Sequence, residues 1–204
     1  MLPLRDENPH PPGFKPKVTI ALIIMNVVIF LYEIAVTGQF WEFSNQQAAL
    51  MFFEWGAVPS CVTGFSSVIQ PGISCPDMSY VSLFSSIFMH GGLMHLGGNM
   101  LFLWIFGDNM EDEMGHVGFL IFYLASGVAA ALAQWIVEPS STVVTIGASG
   151  AIAGVMGGYL LLFPKAKVDI LLILIVFFKI FPVPAWLMLG LWFLLQVGNG
   201  VASD

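Results

Sequence analysis

The chain has 204 residues, a length that fits one domain, but only 9% of them are charged while 57% are apolar. A water-soluble globule carries roughly a quarter of its residues as charge, and a disordered chain is far poorer in apolar residues than this one, so both classes are excluded. Lipid is the solvent this composition implies. The six basic residues, Arg5, Lys15, Lys17, Lys165, Lys167 and Lys179, make no surface able to neutralise a run of phosphates, so nucleic acid is not an expected partner. The formal charge of −7 comes from scattered acids and one cluster, Asp108, Glu111, Asp112 and Glu113. That cluster reads as a solvated helix end and not as a metal site, because no His or Cys completes a ligand shell.

Residues 1–17 are polar and rich in proline, which predicts a flexible tail. The remainder, 18–204, reads as a single membrane domain. Its first apolar run, Val18 to Val36, is about one bilayer long at roughly 1.5 Å per residue, so it is expected to be an uncleaved transmembrane helix and not a signal peptide. Residues 37–89 break into aromatics, prolines, glycines and serines, too long a stretch for a bare connection. Trp41 and Trp55 suit the headgroup layer, and the segment is expected to lie on the membrane as an interfacial loop; a small soluble cap is the alternative.

Four further apolar segments follow, at 93–110, 117–137, 149–163 and 184–197, giving five spans of an all-α membrane bundle. The run 168–178 is short for a span; a re-entrant element, an interfacial element and an extension of the last helix all remain open for it. The basic residues flank the start of the first span and the end of the fourth, which puts both flanks and the tail in the cytoplasm and the 37–89 loop outside. Cys61 and Cys75 both fall in that loop. A disulfide closing about fifteen residues and a pair of free thiols are both open there.

In lipid an unpaired hydroxyl, amide or imidazole costs several kcal/mol, so polar residues within spans are functional candidates. His95 and Asn99, in HGGLMHLGGN, are four residues apart and share a helix face near the outer end of the second span. Ser149, in GASG, opens the fourth span at its outer end, where helix amino-terminal N–H groups favour an oxyanion beside a serine nucleophile. Each feature also has a packing explanation. Gly150, Gly154 and Gly158 form a small-residue stripe with Ser149, and His95 with Asn99 fits an interhelical hydrogen-bonded pair. The coincidence of depth favours a site. Glu33, an acid inside the first span, has no place in this scheme.

Taken together, His90, His95 and Asn99 in the second span, Glu111 and Gly115 in the turn after it, and Gly147, Ser149 and Gly150 in GASG resemble the rhomboid intramembrane serine proteases. The similarity runs from the first span to the last residue. It implies a six-helix core, five spans of which are present, and cleavage of transmembrane segments of single-span membrane proteins by a Ser-His dyad. By that match Ser149 is the nucleophile, and His95, Asn99 and the Ser149 backbone N–H line the oxyanion hole. Gly147 and Gly150 shape the nucleophile loop. His90, Glu111 and Gly115 have structural roles, with Glu111 tying the outer-loop scaffold to the second helix.

One departure matters: the resemblance places the dyad histidine on a sixth span after the serine, whereas His10, His90, His95 and His116 all precede Ser149. A serine hydroxyl needs a base within about 3 Å to attack at neutral pH. The expectation is a fragment of a longer active protease, inactive by itself for want of the base; a natural pseudoenzyme is the competing account. Two other classes are weighed, a non-catalytic rhomboid-like protein that binds transmembrane segments and a small transporter or channel subunit. No cofactor or metal is called for, since serine, imidazole and backbone donors suffice for acyl transfer. The expected address is a bacterial or archaeal plasma membrane, because the leader is not arginine-rich and amphipathic.

Overall fold

The computed structural model describes residues 2–70, 72–76, 79–174 and 177–202, with the side chains of 2, 70, 79, 172–174, 177–179, 192 and 195–202 outside the description. Strand β1 (Leu2–Asp6) precedes helix α1 (Lys17–Thr37); then come α2 (Gln46–Trp55), α3 (Pro59–Thr63), strands β2 (Val68–Gln70) and β3 (Ile73–Ser74), and α4 (Ser82–Ser85). The long α5 (Leu93–Val137), α6 (Ser149–Leu162), strands β4 (Lys167–Leu174) and β5 (Phe177–Pro184), and α7 (Ala185–Ala202) complete the order. Every apolar segment assigned to a span is helical, and among the described residues α1 and α5 are long and apolar enough to cross a membrane.

α5 contains two of the expected spans. Its helical path breaks only at Gly115, where φ is 70° and ψ 162°, a conformation costly for any residue with a Cβ. The core lies between the two halves of α5 and α6. Leu103, Phe106, Met110, Phe119 and Tyr123 pack against Ile152, Val155, Met156 and Tyr159, with Leu22 of α1 alongside. The opposite face of α1, with Ile24, Val28, Leu31 and Tyr32, is exposed, as a lipid-facing helix requires.

The 37–89 segment folds into short helices and a two-stranded hairpin, with Trp41 and Trp55 exposed. Cys61 and Cys75 form a disulfide with Cα atoms 5.4 Å apart, which settles the pairing that the sequence leaves open.

Three features differ from expectation. The ambiguous run 168–178 is part of an antiparallel hairpin, β4 against β5, in register from Lys167 opposite Pro184 to Leu174 opposite Phe177; residues 175 and 176 lie outside the described residues. The tail at 1–17 is not simply flexible: β1 joins β4 antiparallel to complete a sheet of order β1-β4-β5, and Arg5 Nε donates to Asp169 at 2.8 Å. Beyond the strand, Asn8 donates to the Tyr159 hydroxyl at 2.8 Å, and the His10 ring faces Asp108 at 3.1 Å and Asp112 at 3.3 Å.

The third difference is the acidic cluster, which is not merely solvated. Glu111 is fully buried and accepts hydrogen bonds from Val18 N–H at 2.8 Å and from Thr19 N–H and Oγ1, each at 2.7 Å, and its carboxylate also meets His116 Nδ1. It therefore satisfies first-turn N–H groups of α1 that have no partner within the helix. The tie runs to the start of α1 and not to the outer-loop scaffold.

Candidate active site

Two helix starts and the loops before them build the site. α5 begins behind Gly92, whose φ of 154° and close approach to the Trp41 carbonyl admit only glycine. From that start the helical repeat sets His95 and Asn99 one above the other. α6 begins at Ser149, and the loop ahead of it is held by reciprocal backbone hydrogen bonds between Ala57 and Thr145, at 3.0 and 2.8 Å, and by Gly147 N–H donating to the Ser86 carbonyl at 2.8 Å. Gly147 has φ 115°, and a Cβ there would stand 2.6 Å from His95 Nε2. The imidazole thus packs directly on the glycine two residues before the serine.

His95, Asn99 and Ser149 line one cavity of about 290 Å³, with Met94, Gly98, Phe102 and Ile152 as its remaining walls. Gly91 N–H donates to His95 Nδ1 at 3.3 Å, and Asn99 Nδ2 donates to the His95 carbonyl at 3.1 Å, which occupies one of its two amide hydrogens. No side chain caps α6, and its first intrahelical bond is Ile152 N–H to the Ala148 carbonyl at 2.9 Å. The N–H groups of Ser149, Gly150 and Ala151 therefore have no acceptor within the helix, and their partial positive charge lies beside the serine.

The remaining expected residues fall into two groups. Gly150 faces away from the cavity, with Ala130 2.6 Å from where its Cβ would be, and Gly154 and Gly158 continue that stripe against Ser126 and Met110 of α5. The glycine stripe thus packs on α5, and the cavity lies on a neighbouring face of α6. His90 is fully buried behind the site, its ring edge-on to His95 with centroids 5.1 Å apart. Glu111, Gly115 and His116 lie elsewhere, roughly 20 Å further along α5 by helical rise. His10 joins that distant group through Asp108 and Asp112, so His95 is the one histidine on the cavity wall among the described residues.

Two residues that sequence reasoning leaves without a role stand behind the cavity wall. Glu33 accepts from the His90 backbone N–H, and Gly91 contacts His95. The only signal for Glu33 in the sequence is its charge inside an apolar span.

Residues 77–204 match the family described as Rhomboid domain. The chain is similar to Rhomboid protein 1, mitochondrial, of Saccharomyces cerevisiae, with 38% identity over 119 residues, 53% of this chain and 31% of that protein. It is 43% identical over 70 residues to Rhomboid-like protein 11, chloroplastic, of Arabidopsis thaliana, covering 34% of this chain and 25% of that one. It is 38% identical over 78 residues to Rhomboid protease GluP of Bacillus subtilis, covering 38% of this chain and 15% of that protein. The chain thus spans less than a third of the length of each of these curated relatives. The matched segment contains the whole cavity wall from Met94 to Ile152, together with His90, Glu111 and Gly115, and with most of its length so matched, the chain is a membrane protein that belongs to the rhomboid family.

Proposed function

We propose that the chain carries the nucleophile and oxyanion site of an intramembrane serine endopeptidase that cleaves transmembrane segments of single-span membrane proteins. The observation that supports this most strongly is the shared cavity of Ser149, His95 and Asn99 at the uncapped start of α6. In this reading Ser149 Oγ attacks the scissile carbonyl carbon and forms a C–O bond, and the carbonyl oxygen becomes an oxyanion. His95, Asn99 Nδ2 and the Ser149 backbone N–H stabilise that oxygen, a type of contribution worth about 3–4 kcal/mol per donor. The serine proton passes to a base, which returns it to the departing amine; water then releases the acyl group and restores Ser149.

The base lies outside the 204 residues in this reading. His10 and His116 are engaged with Asp108, Asp112 and Glu111, His90 is buried behind the loop, and His95 Nδ1 is taken by Gly91. The same observation is what favours the competing reading, a non-catalytic relative that binds transmembrane segments. The Cys61–Cys75 disulfide fits an outward 37–89 loop on an oxidising side and a cytoplasmic amino terminus, as in a bacterial or archaeal plasma membrane.

Cleavage of a single-span substrate by the full-length protein in liposomes tests the proposal. Wild-type protein is expected to release two fragments, and Ser149→Ala none, with insertion and thermal stability unchanged. Equal cleavage by both forms, or by neither, would leave the non-catalytic reading standing.

A further inference from the structure

Glu33 is fully buried on α1, and both of its carboxylate oxygens face one backbone donor, the His90 N–H, at 3.1 and 3.4 Å. The peptide units around that contact are held from several sides. His90 Nδ1 meets the Phe88 carbonyl at 3.2 Å, Phe43 N–H donates to the Gly91 carbonyl at 2.9 Å, and Leu93 N–H donates to the Trp41 carbonyl at 3.2 Å. Held in this way, the next N–H along the chain, that of Gly91, is aimed at His95 Nδ1. A backbone N–H only donates, so Nδ1 holds a lone pair and the proton of the neutral ring is on Nε2, the nitrogen that lies against Gly147.

We propose that Glu33 is a positioning residue for the cavity: by fixing the His90 peptide it presents Gly91 N–H to His95 and holds that imidazole in its Nε2–H tautomer. In this tautomer His95 carries its hydrogen on Nε2, against the loop that leads into Ser149, and that nitrogen cannot accept the serine proton. The role of that hydrogen in catalysis rests on the function proposed above; the tautomer itself does not. Packing alone has no need of a carboxylate on α1 at this depth, where it is costly to bury unless its hydrogen bond matters.

The test uses the full-length protein with ¹⁵N-labelled histidine, the His95 signals being assigned by their loss in His95→Gln. Wild type is expected to show a protonated Nε2 and an unprotonated Nδ1. Glu33→Ala is expected to show a mixture of tautomers, with kcat lowered about tenfold and KM within about twofold, since a donor to the oxyanion is lost in much of the population. Glu33→Gln keeps a carbonyl acceptor for the His90 N–H and is expected to restore the single tautomer and most of kcat. A proton on Nδ1 in wild type overturns the proposal, and this arm needs no variant to fold. So does a folded Glu33→Ala that keeps one Nε2–H tautomer and an unchanged kcat. A wild-type protein with the expected tautomer but no cleavage counts against the proposed function and leaves the positioning role in place.

Discussion

The His95 imidazole and Gly147 are in such close contact that one methyl group on the glycine would sit 2.6 Å from Nε2. The helix carrying the histidine and the loop carrying the serine are therefore registered against each other through a residue with no side chain. Gly147→Ala adds that methyl at φ 115°, where a Cβ is strained as well. The expected outcome is at least a tenfold fall in the rate of Ser149 modification and a loss of about 1–3 kcal/mol in stability. Gly97→Ala, where nothing lies within 4 Å of the added atom, serves as the control and is expected to be neutral or slightly stabilising in a thermal melt.

Glu111 joins α5 to the start of α1 with three hydrogen bonds from Val18 and Thr19 and a contact to His116. Glu111→Ala strands those buried donors and is expected to cost about 3 kcal/mol or more. Glu111→Gln keeps one acceptor oxygen and should fall between wild type and Ala. Thermal unfolding in detergent reads both, and an Ala variant as stable as wild type would show that the carboxylate does not hold α1.

For the Cys61–Cys75 pair, thiol alkylation followed by intact mass measurement is expected to find no reactive thiol until the protein is reduced, and two afterwards. The bond closes a loop with a sequence separation of 14, so Cys75→Ser should lower stability by up to about 3 kcal/mol, with local unfolding of the β2–β3 hairpin. Ready alkylation without reductant would contradict the pairing.

The anchoring of residues 7–14 is expected to depend on pH. Partial burial disfavours the His10 cation, but the hydrogen bond to Asp112, the charge and hydrogen bond of Asp108 and the charge of Asp112 together outweigh it, so the pKa is raised above 6.5. A raised histidine contributes its stabilisation fully below its unfolded value and loses it as pH climbs through the folded one. Limited proteolysis should therefore release the amino-terminal segment faster at pH 8.5 than at pH 6, the first about two units above and the second about half a unit below the ordinary value. In His10→Gln that difference should shrink. The ring and both carboxylates keep part of their surface in solvent, which screens the pairs, so the effect is expected to be small.

The helices were legible because a bilayer demands long apolar runs, and α1, both halves of α5, α6 and α7 follow those runs closely. The shared cavity of the candidate site was legible for a related reason. His95, Asn99 and Ser149 are polar where polarity is costly, and helical spacing ties the first two to one face. The β4–β5 hairpin was not, since a continuous apolar run has no period to separate a buried strand from a short helix. What decides there is pairing with β1 from more than 150 residues away, as Leu2 opposite Leu171 shows. The proline-rich start misled for the opposite reason. Its local composition suits a mobile tail, but Asn8 and His10 find partners on α6 and α5 that only the tertiary fold supplies. Glu33 stayed unplaced because its partner is a backbone N–H, which carries no sequence signature.

The most direct measurement is modification of the full-length protein by a fluorophosphonate, with the adduct located by mass spectrometry. The reagent needs a serine activated by a base and a pocket that stabilises the oxygen on phosphorus, so it reads nucleophile and donors together. The account predicts one adduct, on Ser149, lost in Ser149→Ala and slowed at least tenfold by replacing His95. An adduct on another serine, or none on a folded protein of full length, would contradict it.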